Sequence, residues 1–185
     1  MGFSEKEIQD KLILLSSHIK GIKLIQELSV PNDQGLQRSR RFDVVQILKH
    51  HILVIEIKKN QISLETVAKT LGDKNYVELA SKYFRKKVLF LFTSPESEGI
   101  DIKAMNLINL MPNINYIPLE NIFNSLYKEY INQLPSVALW RSEEIYKEFH
   151  PFITINPLLN NKQTNSFHSN SNNQLSVKEY ELCSN

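Results

Sequence analysis

Three charged side chains interrupt two apolar runs in this sequence. Asp43 lies near the start of the run at 42–48, Glu56 lies near the end of the run at 52–57, and Lys58 directly follows it, which gives the triplet Glu-Ile-Lys. A charge placed in an apolar strand costs stability unless a partner compensates it. These three residues are therefore the first candidates for a function.

The spacing of the two runs brings the three groups together. The runs flank a polar tip at 49–51, which is the pattern of a β-hairpin. Residues early in the first strand of a hairpin lie opposite residues late in the second, so Asp43 is expected to meet Glu56. Glu56 and Lys58 are two positions apart and therefore share one face of their strand. We expect all three groups to converge at one end of a sheet.

Such a cluster could hydrolyse a phosphodiester bond. The carboxylates of Asp43 and Glu56, with the backbone carbonyl of Ile57, offer oxygen ligands to one hard cation. Mg²⁺ accepts one or two carboxylates and otherwise keeps water and substrate oxygens, and Mn²⁺ is the expected substitute. A bound ion of this kind polarises a phosphoryl group and lowers the pKa of its water. Lys58 could orient that water or balance the charge of the transition state.

The elements around the hairpin predict an α/β fold. Ser4 and Glu7 have the spacing of a capping box, which predicts a first helix over 5–20, and an alternating strand follows at 22–30. Helical spacing resumes after Ser63, and the continuously apolar run at 88–92 predicts a central strand, parallel to the second hairpin strand. The resulting order, αβββαβ, predicts a mixed central sheet flanked by helices. A helix at 101–110, a strand at 114–118 and helices at 119–131 and 141–149 follow.

Composition limits the remaining choices. A chain of 185 residues suits one domain, predicted at 1–150, followed by an Asn-rich tail at 151–185 that is predicted to be disordered. A net charge of +2 permits nucleic-acid binding without arguing for it. The single cysteine, Cys183, excludes a disulfide framework. With no apolar run long enough for a bilayer, we expect an intracellular, cytoplasmic protein without a membrane partner, associated with the nucleoid if it acts on DNA.

The segments R-F-D-V-V around Asp43 and V-I-E-I-K around Glu56 and Lys58 resemble the motif of the PD-(D/E)xK nuclease superfamily, which has the restriction-endonuclease-like fold. The resemblance covers about residues 4–93, and Phe42 stands where the motif has proline. It implies a Mg²⁺-dependent endonuclease of restriction, homing, repair or recombination type, with DNA as its substrate. Asp43 and Glu56 would hold the metal, and Lys58 would be catalytic. Because cutting both strands usually needs two sites, a homodimer is also expected, with 101–149 as a candidate interface.

Many members of the superfamily add a glutamate from the first helix. Glu7 is the candidate here, with Glu27 on the first strand as a weaker one. The capping role of Glu7 and a metal-ligand role are equally open at this point.

Basic side chains near the motif predict contacts with DNA phosphates. The candidates for this role are Arg38, Arg40, Arg41 and Lys59. A solvated loop is the competing interpretation for the arginines. Basic residues further along the chain either line a DNA-binding groove or belong to solvated surface. They are Lys69, Lys82, Arg85, Lys86 and Lys87. His50 and His51 are interpreted as exposed residues of the hairpin tip.

Two other functions remain open at the level of sequence. The first is a catalytically silent, nuclease-like subunit that binds DNA or another protein. The second is an unrelated α/β domain whose charges coincide with the motif. It requires Asp43 and Glu56 to lie on opposite faces of the sheet.

Overall fold

The structure is a computed structural model that describes residues 2–31, 39–73 and 75–155. Within these ranges, helices and strands alternate largely as the sequence predicts. In chain order the elements are α1 (Glu5–Ser17), β1 (Leu24–Val30), β2 (Arg40–Ile47), β3 (His51–Ile57), α2 (Leu64–Ala68), a π-helical turn (Lys69–Asp73), α3 (Tyr76–Phe84), β4 (Lys87–Thr93), α4 (Ile102–Asn109), β5 (Ile114–Tyr116), α5 (Leu119–Gln133), a 3₁₀ turn (Ser136–Ala138) and α6 (Trp140–Phe149). None of the helices in these ranges is both long and apolar enough to cross a membrane.

The five strands form one mixed sheet in the order β1-β2-β3-β4-β5. β2 runs antiparallel to β1 and to β3, whereas β4 runs parallel to β3 and to β5. The chain passes from β3 to β4 through α2 and α3, and this long connection permits the parallel pairing. The predicted hairpin, the parallel central strand and the α/β class with a mixed sheet are therefore confirmed.

Helices cover both faces of the sheet and create two apolar cores. α1, α5 and α6 pack on one face, where their side chains meet Ile55 and Ile57 of β3. α2, α3 and α4 pack on the other face against Ile52 and Val54 of the same strand. Because β3 is buried on both sides, a charged residue within it lies in a desolvated environment.

The packed body continues past the predicted domain boundary at residue 150. Phe152 and Ile153 are 1% and 2% exposed, and the ring of Phe152 stacks on that of Phe123 with centroids 4.6 Å apart. The five residues that follow position 150 are thus part of the described fold. The boundary itself stays a prediction, and the predicted disorder of the tail concerns residues 156–185, which lie outside the described residues.

Candidate active site

The hairpin register carries Asp43 to the end of β3. Val44 pairs with Ile55 and Val45 with Val54, so one further step along the register sets Asp43 opposite Glu56. The Asp43 side chain accepts a hydrogen bond from the backbone N–H of Ile57, with 2.8 Å between Oδ2 and the nitrogen. The carboxylate of Asp43 is therefore anchored beside the Glu56–Lys58 segment, as the spacing predicts.

Glu56 and Lys58 form a close ion pair at this end of the sheet. Lys58 Nζ lies 3.0 Å from Glu56 Oε1. Glu56 is only 3% exposed, whereas the ammonium of Lys58 reaches partly to solvent. The pair is therefore not a solvated strand-face pair, and its charges interact in a medium that screens them weakly.

The surroundings shift the pKa values of two of these groups. Burial raises the pKa of Asp43 above its usual value, against the opposing influence of the Ile57 N–H and of Lys58. Burial on its own would lower the pKa of Lys58, but the nearby carboxylates, Glu56 first and then Asp43, outweigh it and raise that pKa. Lys58 therefore stays protonated, and the desolvated carboxylate of Asp43 gains from any nearby cation.

Helix α1 contributes a different acid from the one the sequence suggested. Glu5, at the first position of α1, places Oε2 3.9 Å from Lys58 Nζ and accepts a hydrogen bond from the backbone N–H of Lys59 at 3.4 Å. Glu7 instead completes the capping box: its Oε2 accepts from the Ser4 backbone N–H at 2.7 Å, and its side chain is exposed. The structure thus brings Glu5, and not Glu7, to the cluster.

Glu27 lies beside Asp43 but faces other cations. The β1–β2 register places it opposite Asp43, at a position where its backbone adopts a left-handed φ of 50°. Its carboxylate lies 3.8 Å from Lys6 and 3.6 Å from Arg41. Glu27 therefore pairs with surface cations rather than with Lys58.

The four predicted DNA contacts have different surroundings. Arg38 lies outside the described residues. Arg41 is exposed and engaged with Glu27, and the Lys59 side chain is exposed next to the cluster. Arg40 is half-buried, and its Nε has no hydrogen-bond partner among the described residues. Contact of any of them with DNA stays a prediction.

Tyr76, which sequence reasoning assigned only to a helical stretch, stands at the edge of the site. It begins α3, and its ring packs on Phe42 with centroids 5.2 Å apart. Burial raises the pKa of Tyr76, and the charge of Glu56 adds to that effect. No local pattern marks this residue, because its approach to Glu56 depends on how α3 packs against the sheet.

The chemistry of the cluster fits a Mg²⁺ ion. Within the described ranges, no group of three or more His, Cys, Asp or Glu side chains is arranged as a metal cage. Mg²⁺ does not require one, since one or two carboxylates suffice when water and substrate oxygens complete its shell. Asp43 and Glu56, with the carbonyl of Ile57 directly after Glu56 in the chain, offer such a set of oxygens, and the half-buried carboxylate of Asp43 favours a cation beside it.

The element order αβββαβ and the mixed five-stranded sheet agree with the restriction-endonuclease-like fold that the sequence motif implies. No protein-family model matches the chain, and no curated protein sequence matches it.

Three solved structures illustrate what the chain is similar to. A repair endonuclease from Pyrococcus abyssi shares 22% identity at a TM-score of 0.47, over 64% of this chain and 48% of the other. A complex of EndoMS with double-stranded DNA shares 16% identity at a TM-score of 0.42, and the match covers 64% of this chain and 46% of the other. The small subunit of the heterodimeric restriction endonuclease R.BspD6I shares 16% identity at a TM-score of 0.39, and the match covers 81% of this chain and 89% of the other. The chain thus spans about half the length of the first two structures.

Proposed function

We propose that this protein is a Mg²⁺-dependent endonuclease that hydrolyses phosphodiester bonds in DNA. The observation that carries the proposal is the meeting of Asp43, Glu56 and Lys58 at one end of a buried hairpin. Desolvated charges destabilise a fold unless they are compensated, and titratable groups with shifted pKa values that share a site are candidates for catalysis.

In this proposal the two acids hold the metal, with the Ile57 carbonyl as a third oxygen ligand. Bound Mg²⁺ would polarise the phosphoryl group and supply water of lowered pKa. The Ile57 N–H fixes one oxygen of Asp43 and leaves the other oxygen available. Glu5 lies near enough to Lys58 to add negative charge to the same site.

Lys58 acts in this scheme as a fixed cation. Because its pKa is raised, its ammonium keeps its protons at neutral pH and does not serve as a general base. It donates hydrogen bonds, with Glu56 holding it in place at 3.0 Å. That arrangement suits orienting a water molecule or stabilising the negative charge that develops on the phosphoryl oxygens.

The test is cleavage of linear, supercoiled, single-stranded and branched DNA with Mg²⁺, with Mn²⁺ and with EDTA, read on a gel. Asp43→Asn, Glu56→Gln and Lys58→Met are each expected to lower the rate on the order of 10³-fold or more, about 4 kcal/mol of transition-state stabilisation. Glu7→Gln is the matched acidic control, because its carboxylate lies at the helix cap.

The outcomes separate the candidate functions. Cleavage that needs the metal and disappears in the three variants, while circular dichroism shows them folded, supports the proposal. Cleavage that survives in all three refutes the assigned roles. DNA binding without any cleavage would identify the silent, nuclease-like subunit instead.

A further inference from the structure

The opposite end of the sheet from the acids carries a concentration of basic side chains. We call it the basic edge. It comprises Lys23, Lys49, His50, His51, Arg85, Lys86 and Lys87.

Strand pairing and hydrogen bonds place these residues together. His51 pairs with Lys87 at the first step of the β3–β4 register. Lys86 Nζ donates a hydrogen bond to the carbonyl of Leu48 at 2.8 Å, which ties the end of α3 to the hairpin tip. Lys23 directly precedes Leu24, whose partner Gln46 is near the end of β2. Three separate segments of the chain thus meet at one edge.

The basic edge carries an excess of positive charge. Lys23, Lys49, Arg85 and Lys87 are exposed, and segments 18–24, 46–53 and 81–90 contain no Asp or Glu. No carboxylate in the described residues forms an ion pair with these four cations.

Two acids on helices α3 and α5 have partners of their own. On the neighbouring helix α3, Glu78 pairs with Lys82. On α5, Glu129 accepts a hydrogen bond from Gln133. Neither of these acids forms an ion pair with the four exposed cations.

Part of this charge has a structural role. Helix α3 ends here with Arg85 at its C-cap, and a cation near a helix C-terminus interacts favourably with the helix dipole. The hydrogen bond from Lys86 to the Leu48 carbonyl likewise stabilises the fold. Lys49 and Lys87 are different, because their exposed side chains have no hydrogen-bond or ion-pair partner among the described residues. They are free to meet an external anion.

The distance to the acids separates the basic edge from the acidic end of the sheet. His51 and Glu56 lie five steps apart on β3, which corresponds to about 17 Å at 3.3 Å per residue. A phosphate at the basic edge is therefore not the one that would lie beside Asp43 and Glu56.

We propose that the basic edge is a second contact surface for the phosphate backbone of DNA, separate from the acidic end of the sheet. This inference rests on the proposed function, which makes DNA the ligand. Exposed lysines that neutralise phosphates release counterions, so they contribute affinity that falls steeply with salt and carries no sequence preference. The surface would hold DNA phosphates at a distance from the scissile bond.

The experiment measures binding of a 30-base-pair duplex in EDTA, so that cleavage plays no part. Lys49→Gln/Lys87→Gln is compared with wild type and with the control Lys103→Gln/Lys147→Gln, which removes the same charge from exposed positions on α4 and α6. Two lost phosphate contacts should reduce the slope of log K against log salt by about 1.8 and weaken binding about 30-fold at 0.15 M salt.

A loss of affinity and slope confined to the basic-edge variant, at a temperature where both variants are folded, supports the inference. Unchanged binding, or an equal loss in the control, overturns it, whatever happens to thermal stability. If wild type binds no DNA at all, the proposed function loses its substrate and this inference falls with it, whereas binding that ignores the basic edge refutes only the inference.

Discussion

Removing the ammonium of Lys58 should destabilise the fold as well as abolish cleavage. Lys58 Nζ lies 3.0 Å from Glu56, which is almost fully buried, and 3.9 Å from Glu5. At that shorter distance and an effective dielectric constant of about 20, the attraction to Glu56 alone is about 5 kcal/mol. Breaking a buried pair costs about 3–5 kcal/mol, and the partial exposure of Lys58 reduces this to about 2–3 kcal/mol. For a chain of this length the melting temperature should fall by about 5–10 °C.

The same variant should become more sensitive to divalent cations. Without Lys58, the carboxylates of Asp43, Glu56 and Glu5 face one another with less compensation, and Mg²⁺ can replace the lost positive charge. An ion present at ten times its dissociation constant stabilises the folded state by about 1.4 kcal/mol. Mg²⁺ should therefore restore about half of the lost stability, whereas Na⁺ at equal ionic strength should restore much less.

Thermal unfolding followed by circular dichroism measures both effects. Lys58→Met keeps most of the aliphatic stem, and Lys59→Met is the control, since it removes an adjacent, exposed charge outside the ion pair. A melting temperature of Lys58→Met equal to that of Lys59→Met would refute the energetic role of the pair. An equal, non-zero response of the two variants to Mg²⁺ would refute the competition between Lys58 and the ion, and the absence of a response in both would refute metal binding by the acids.

Glu5→Gln should lower cleavage, because Glu5 lies beside Lys58, whereas Glu7→Ala should only weaken the α1 cap, by about 0.5–1 kcal/mol. Burial raises the pKa of Tyr127 to about 12, so the folded state disfavours the ionised form of this tyrosine. Its contribution to the free energy of unfolding is therefore retained below pH 10.0 and lost as the pH rises towards 12. This loss should be absent from Tyr127→Phe. Phe152→Ala should cost about 3–5 kcal/mol, because Phe152 is fully packed.

The matching measurements use simple readouts. Initial cleavage rates separate Glu5 from Glu7, and equal rates in both variants would contradict the assignment of Glu5 to the site. Urea unfolding between neutral pH and pH 12 tests Tyr127, with parallel alkaline losses in wild type and variant as the adverse result. Trp140→Ala, at an exposed position, is the control for Phe152→Ala. A similarly small loss of unfolding free energy in both variants would contradict the packing of Phe152 in the core.

Much of the fold follows from local patterns. The alternation in β2 and β3, the apolar run of β4 and the helical spacing of α1 predict these elements because each pattern reports how a segment divides its surface between core and solvent. Parallel pairing of β3 with β4 follows from the long helical connection between them. The start of the polar tail is harder to predict from local patterns. Two side chains within a mostly polar stretch, Phe152 and Ile153, are buried by contacts with distant segments.

The sequence by itself determined that Asp43, Glu56 and Lys58 could share one end of the sheet, because hairpin pairing and the two-residue period of a strand are local rules. Only the tertiary structure decided that Glu5, and not Glu7, reaches Lys58. Both acids lie in the first turn of α1, and the rotation of that helix against the sheet, set by packing of its apolar face, selects between them. The approach of Tyr76 and the gathering of Lys23, Lys49 and Lys87 at one edge likewise depend on contacts between segments far apart in the chain.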